Sequence, residues 1–250
     1  MCAQRLASSS PHTSPVEPAL VSRLIMDPLT EKVFKTQLYE HFAGICKAFG
    51  HPVRFQFLEL LTQGEFSVEE LAREVGVSVA NASQHLQTLR AAQLVQVRRE
   101  GSYAIYSLTD DAVFEVVRSV RAVAERNIAE IDRLKSLFLS HRGHMQPVQL
   151  DELPKRLAAG ETLLVDVRPA NEFAAGHIPG AVSYPLDELA DNLENLTARQ
   201  TLIVYCRGPY SLLADRAVAL LQAHGLPAQR LESGFPDWRS RSRAYADCFH

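Results

Sequence analysis

Two stretches of the chain carry side chains whose type and spacing suit chemistry or recognition. Its four cysteines lie at positions 2, 46, 206 and 248, with no Cys-x-x-Cys pair. That scatter points to neither a disulfide framework nor a zinc ribbon. Cys206 stands apart, in Tyr205-Cys-Arg-Gly-Pro-Tyr-Ser-Leu212 between an apolar run and a helical pattern. A sulfur at the start of a helix meets inward-pointing N–H groups and the positive end of the helix dipole. Both favour a thiolate, so the Cys206 pKa is expected to be lowered, and a persulfide anion is stabilised in the same way. Gly208, Tyr210, Ser211 and Leu212 are expected to form the backbone cradle, and Arg207 to add charge for an anionic sulfur donor. The competing reading is an inert, small, buried cysteine. The second stretch is Ser78 to Gln87, where Asn81, Ser83, Gln84, His85 and Gln87 share a polar helix face while Leu86 and Leu89 point away. Asn and Gln pair bidentately with adenine, and Ser with several bases.

These residues need elements to hold them, and 250 residues are enough for two domains. An apolar fraction of 46% and a charged fraction of 22% are ordinary for a globular protein. A net charge of −3 argues against a basic nucleic-acid coat and leaves room for a local basic face. No apolar run approaches the roughly 20 residues of a membrane helix. The N-terminus lacks the apolar core of a signal peptide, so a cytoplasmic, reducing location with no membrane partner is expected. Residues 1–28 are rich in Ser and Pro and read as a disordered extension, with Met26 a candidate natural start.

From Glu31 to Phe49, Phe34, Leu38, Phe42, Ile45 and Phe49 recur at helical spacing. Pro52 opens a second helix through Leu61. Ser67-Val-Glu-Glu70 is a capping box for a third, and Ser78 caps a fourth, to about Ala92. The runs Leu94–Arg99 and Tyr103–Leu108 flank Glu100-Gly-Ser102 as a hairpin, which places Arg98 and Arg99 on a wing that can hold phosphate. A long helix with an apolar stripe from Val113 to Phe138 follows. The pattern predicts a mainly α winged helix-turn-helix domain over 29–140, with its fourth helix entering the major groove. His141 to Pro147 reads as a linker, 141–147. Beyond it, Leu163–Val167 and Thr201–Tyr205 read as buried parallel strands and Leu212–His224 as a helix, an α/β domain over 148–245.

The runs Ile45-Cys-Lys-Ala-Phe-Gly-His-Pro-Val-Arg54, Ser78 to Val95 and Arg99-Glu-Gly-Ser-Tyr-Ala-Ile-Tyr106 resemble the ArsR family of repressors over roughly residues 31–140. The resemblance implies a homodimer, joined through the first and last helices, on a double-stranded DNA operator. Metal-sensing members carry a cysteine pair on the third helix. Here that segment reads Glu65-Phe-Ser-Val-Glu-Glu-Leu71, and the last helix has no His before His141, so no metal is expected. His85 is open between reading DNA and anchoring its helix.

Leu164-Val-Asp-Val-Arg-Pro169, then Glu172-Phe-Ala-Ala-Gly-His-Ile-Pro-Gly-Ala181, and finally Leu231-Glu-Ser-Gly-Phe-Pro-Asp-Trp238 resemble the rhodanese family over about 148–240. That implies a rhodanese-like fold with a parallel sheet and sulfane-sulfur transfer through a Cys206 persulfide. The partners would be a small sulfur donor (thiosulfate or a persulfide) and a thiol acceptor, with no cofactor. Asp166, Arg168 and His177 then organise the loop. Phosphatases of similar fold need Cys-x5-Arg to clamp phosphate. Leu212 stands at the arginine's place. Ser211 stands where rhodaneses fused to ArsR-type domains often carry a second cysteine, so no intraloop disulfide forms. Cys46, on an apolar-striped helix, is expected to pack in a core. The combined expectation is a DNA-binding repressor that senses or transfers sulfur through Cys206. The alternatives are a sulfurtransferase that its DNA-binding domain merely localises, and a repressor whose rhodanese domain only docks a partner.

Overall fold

The computed structural model describes residues 28–139, 147–160, 162–196 and 200–247. Cys2, Met26, Cys248 and nearly all of the expected linker lie outside them. The chain divides into two compact units within its first described helix, α1 (Pro28–Phe49), between Cys46 and Lys47. Along α1 the stripe Phe34, Leu38, Phe42 and Ile45 is exposed. Cys46 is exposed too, which corrects the expectation of core packing.

The unit from Lys47 onward opens with the winged helix-turn-helix. His51 caps α2 (Pro52–Leu61) by accepting the Val53 N–H, and Pro52 fills the first turn, where no donor is needed. A two-residue strand, β1 (Phe66–Ser67), leads into α3 (Val68–Val75), started by the reciprocal Ser67–Glu70 capping box. Gly76 ends α3 at φ 75°, a left-handed turn that a side chain would strain. Ser78 then caps α4 (Val79–Ala91). β2 (Val95–Glu100) and β3 (Tyr103–Leu108) form the wing, and β1 pairs with β3 on its other side, all antiparallel. Phe57, Leu58, Leu71, Ala82, Leu86 and Leu89 fill the core between these elements.

The expected single long helix is two: α5 (Asp111–Asn127) and α6 (Ala129–Leu139). Ile128 breaks the run with extended backbone (φ −114°, ψ 96°). Just before it, the Asn127 side-chain amide donates to the Val123 carbonyl at 2.7 Å, a local side-chain bond to the preceding turn.

The C-terminal domain has a four-stranded parallel sheet in the order β5 (Ala181–Ser183), β4 (Thr162–Asp166), β6 (Thr201–Tyr205), β7 (Ala228–Arg230). Between these strands the chain forms α8 (Ala170–Ala175), α9 (Leu186–Leu189) and α10 (Leu213–Ala223), after a preceding α7 (Leu153–Ala158). α11 (Phe235–Asp247) closes the domain. Residues alternate across the sheet. Val165, Leu202 and Val204 face α10, while Leu164, Ile203 and Tyr205 face Leu153 and Phe235. No helix among the described residues is long and apolar enough to cross a membrane.

Candidate functional site

Cys206 follows the last residue of β6, at the carboxyl edge of the sheet where open α/β folds place their sites. It belongs to the apolar cluster that includes Val167, Leu189, Val204, Ala214 and Val218, and is 2% exposed. The Ser211 hydroxyl donates to Sγ at 3.2 Å, and the Arg207 backbone N–H also points at the sulfur. Burial nevertheless pushes the Cys206 thiol up, against the pull of that hydroxyl, that N–H and the Arg207 charge. The expectation of a lowered pKa is therefore overturned. Removal of water from the anion, with the Glu172 charge nearby, outweighs the two donors and the Arg207 charge. Alkylation of Cys206 by iodoacetamide is accordingly expected to keep accelerating beyond the ordinary thiol midpoint of about pH 8.5. A rate that levels off at neutral pH would contradict this.

Arg207 is not aimed at an incoming anion. Its guanidinium grips buried Glu172, with Nε at 3.0 and 3.1 Å from the two carboxylate oxygens and Nη2 at 2.5 Å. Its Nη1 reaches Glu74 of α3 at 2.6 Å. Burial pulls its pKa down, but the two carboxylates outweigh burial and hold it firmly charged. The loop backbone is braced from behind. Arg230 Nη2 donates to Pro209 O at 2.9 Å and Gly208 O at 3.3 Å. The Ser211 N–H donates to Gly208 O at 3.2 Å, closing a turn rather than pointing into a cradle. Tyr210 turns outward, its hydroxyl bonded to Glu125 of α5. Leu212 is exposed at the head of α10. Gly234 presses on the loop, where an added Cβ would lie 2.4 Å from Arg207 O and 2.7 Å from Cys206 O.

Asp166 and Arg168 form a fully buried ion pair, with Nη2 to Oδ2 at 2.6 Å. Arg168 also donates to Gly176 O at 2.7 Å and lies over the Phe235 ring at 4.9 Å. Its Nη1 donates at 3.2 Å to Gln63, which belongs to the winged domain. Gln63 in turn donates to Arg207 O at 3.0 Å. One buried amide thus joins the organising arginine and the Cys206 loop to the end of α2. His177 is exposed and stacks on Phe173 with centroids 3.9 Å apart, its Nδ1 3.1 Å from Phe173 O. Those contacts suit a scaffold role.

Further links run along α5. Arg121 pairs with Asp237 at 3.3 Å, and Glu115 accepts from Ser240. Gln63, Glu74, Glu172, Arg230 and Gly234 escaped sequence reasoning. Glu172 and Gly234 lie inside the quoted rhodanese-like motifs, which was the available signal. Gln63 and Glu74 carried none, because their partners are more than a hundred residues away.

On α4, Asn81, Gln84 and Gln87 are exposed on one face and Ser83 is half-buried. The Ser78 hydroxyl accepts the Asn81 N–H at 3.2 Å, so it serves the helix start. His85 packs on His51 with ring centroids 4.2 Å apart. Burial, then the charges of His51 and Arg54, lowers the His85 pKa. On the wing, Arg98 holds Glu65 at 2.7 Å and Glu100 at 2.8 Å, whereas Arg99, on the next position of β2, is exposed.

Family models agree with this layout: a rhodanese-like domain matches residues 149–241 and a helix-turn-helix domain matches 49–98. The HTH-type transcriptional regulator Rv0324 of Mycobacterium tuberculosis is 38% identical over 205 residues, 82% of this chain and 90% of that protein. The biofilm growth-associated repressor of Xylella fastidiosa is 33% identical over 81 residues, 32% of this chain and 71% of that one. A solution structure from Mycobacterium bovis, described as a homodimeric winged helix-turn-helix DNA-binding domain, is 35% identical. It covers 38% of this chain and 87% of its own, with a TM-score of 0.36. With both modules in place and a relative matched over four-fifths of the length, the chain belongs to the DNA-binding transcriptional regulators that join an ArsR-type winged helix-turn-helix to a C-terminal rhodanese-like domain.

Proposed function

We propose that the protein is a sulfur-responsive repressor, acting in the cytoplasm as a homodimer on an operator, with sulfane sulfur carried on Cys206 as a persulfide. The observation that carries this reading is the Gln63 amide, bonded at once to Arg168 at 3.2 Å and to the Arg207 carbonyl at 3.0 Å. Any change at Cys206 reaches α2 of the DNA-binding domain through one residue. A persulfide adds an atom and a negative charge beside buried Glu172, and so loosens the Gln63 and Glu74 contacts of Arg207. α5 carries the change further. One of its faces holds Glu115, Arg121 and Glu125 against the rhodanese-like domain, while Val116, Val120 and Val123 lie exposed on it. That exposed stripe suits a second copy of the chain. Asn81, Gln84, Gln87 and Arg99 are the side chains offered to bases and phosphate, with Ser78, His85 and Arg98 supporting them. With Ser211 in the loop, an external thiol must remove the sulfur. The Xylella relative's name as a repressor supports the sign of regulation.

The test is binding to the DNA upstream of its own coding region, with and without a persulfide donor. Donor treatment should weaken binding about 5–150-fold in the native protein, a coupling of about 1–3 kcal/mol, and leave Cys206→Ser unchanged. At equal sulfur loading, read by intact mass, Gln63→Ala should lose most of the response. An equal response in Cys206→Ser sinks the proposal.

A further inference from the structure

A cavity of about 270 Å³ lies between the Cys206 loop and the winged domain. Arg207 to Ser211 form one wall, and residues of α2, α3 and α5 form the facing one. Cys206 does not line it, but Ser211 does and hydrogen-bonds the buried Cys206 sulfur at 3.2 Å, so the cavity ends one side chain away from the nucleophile. Its size falls just below the roughly 300–1,000 Å³ of sites for drug-sized ligands, which suits a molecule no larger than an amino acid or two.

The lining chooses the sign of charge. Glu59, Glu74 and Asp237 face two cations, Arg121 and Arg207. Both cations are engaged. Arg121 sits 3.3 Å from Asp237 and 3.6 Å from Glu59. Arg207 is held by Glu74 and by Glu172, whose side chain is 1% exposed. A dianion such as thiosulfate would have to displace carboxylates from both guanidiniums. A donor bearing an ammonium group meets surplus negative charge instead, and Leu60, Val75 and Pro209 offer apolar cover to its stem.

We propose that this cavity is the donor site and that it selects small amine-bearing persulfides over anionic sulfur donors. The inference rests on Cys206 being the sulfur acceptor. In the step, Sγ attacks the terminal sulfur of R–S–SH, the Sγ–S bond forms and the donor's S–S bond breaks. The departing sulfur keeps that electron pair and takes the Cys206 proton, giving Cys206 persulfide and R–SH with no external oxidant.

Two donors alike in sulfur chemistry and opposite in charge separate the possibilities: the persulfides of cysteamine and of mercaptopropionate. Sulfur gain at Cys206 is followed by intact mass on the full-length protein, with Cys206→Ser as background. Cysteamine persulfide should load at least about tenfold faster, within the range of electrostatic steering. The advantage should shrink with added salt. Glu59→Gln with Glu74→Gln should bring the two rates within about threefold. Equal rates in the native protein, or a ratio untouched by these substitutions, overturns the proposal. Selective loading with unchanged DNA affinity would keep this inference and sink the repressor reading. Unselective loading with DNA release would do the reverse, and no loading by either donor overturns both.

Discussion

Gly234→Ala is expected to cost about 2–4 kcal/mol of stability and to abolish sulfur loading at Cys206. A Cβ there would lie 2.4 Å from Arg207 O, 2.5 Å from Arg207 C and 2.7 Å from Cys206 O. All three atoms are backbone and cannot swing aside as a side-chain tip would. Either α11 backs away, taking Phe235 off Arg168, or the loop shifts and the Arg207 N–H leaves the sulfur. The winged domain's core contains no residue of the C-terminal domain, so operator binding without donor should survive. Urea unfolding, Cys206 persulfide formation and DNA affinity, measured on one preparation, test this. A variant that loads sulfur at the native rate refutes the role given to Gly234.

Arg168→Met should destabilise the protein by about 3–5 kcal/mol, the usual effect of removing one member of a buried ion pair. Asp166 and Arg168 are both wholly buried, so Asp166 would be left charged, without its partner and without water. Gly176 O and the Gln63 side-chain oxygen would also lose a donor. Replacing Asp166 by Leu in the same chain removes the stranded charge and should restore part of the loss. The response of DNA binding to sulfur should stay weak even in that double variant, because Gln63 no longer has its link into the sheet. Thermal and urea unfolding measure the first effect and donor-dependent DNA binding the second. A single variant within about 1 kcal/mol of native sinks the first claim.

The elements were legible wherever local chemistry determines them. The Ser67 capping box, the Pro52 helix start, the Tyr103–Leu108 strand and the Thr201–Tyr205 strand stand where spacing and caps put them. The break at Ile128 was not legible, since the apolar stripe runs across it unbroken while the backbone of that one residue turns extended. The short β1, β5 and β7 were also missed, because two or three residues carry no period.

For the site, the sequence by itself determined which residues gather at the end of β6: a lone cysteine, a serine five positions on, and an Asp-x-Arg at the end of the neighbouring strand. It also determined the polar face of α4, because helical spacing alone separates Asn81, Gln84 and Gln87 from Leu86 and Leu89. Only the tertiary structure decided the electrostatics. Burial against α10 and the strands pushes the Cys206 thiol up rather than down. Arg207 faces Glu172 and Glu74 rather than a ligand. Gln63 ties the two domains across more than a hundred residues of sequence. The reason is physical: capping and periodicity act over a few residues, whereas desolvation and charge pairing depend on what the whole fold brings within a few ångströms.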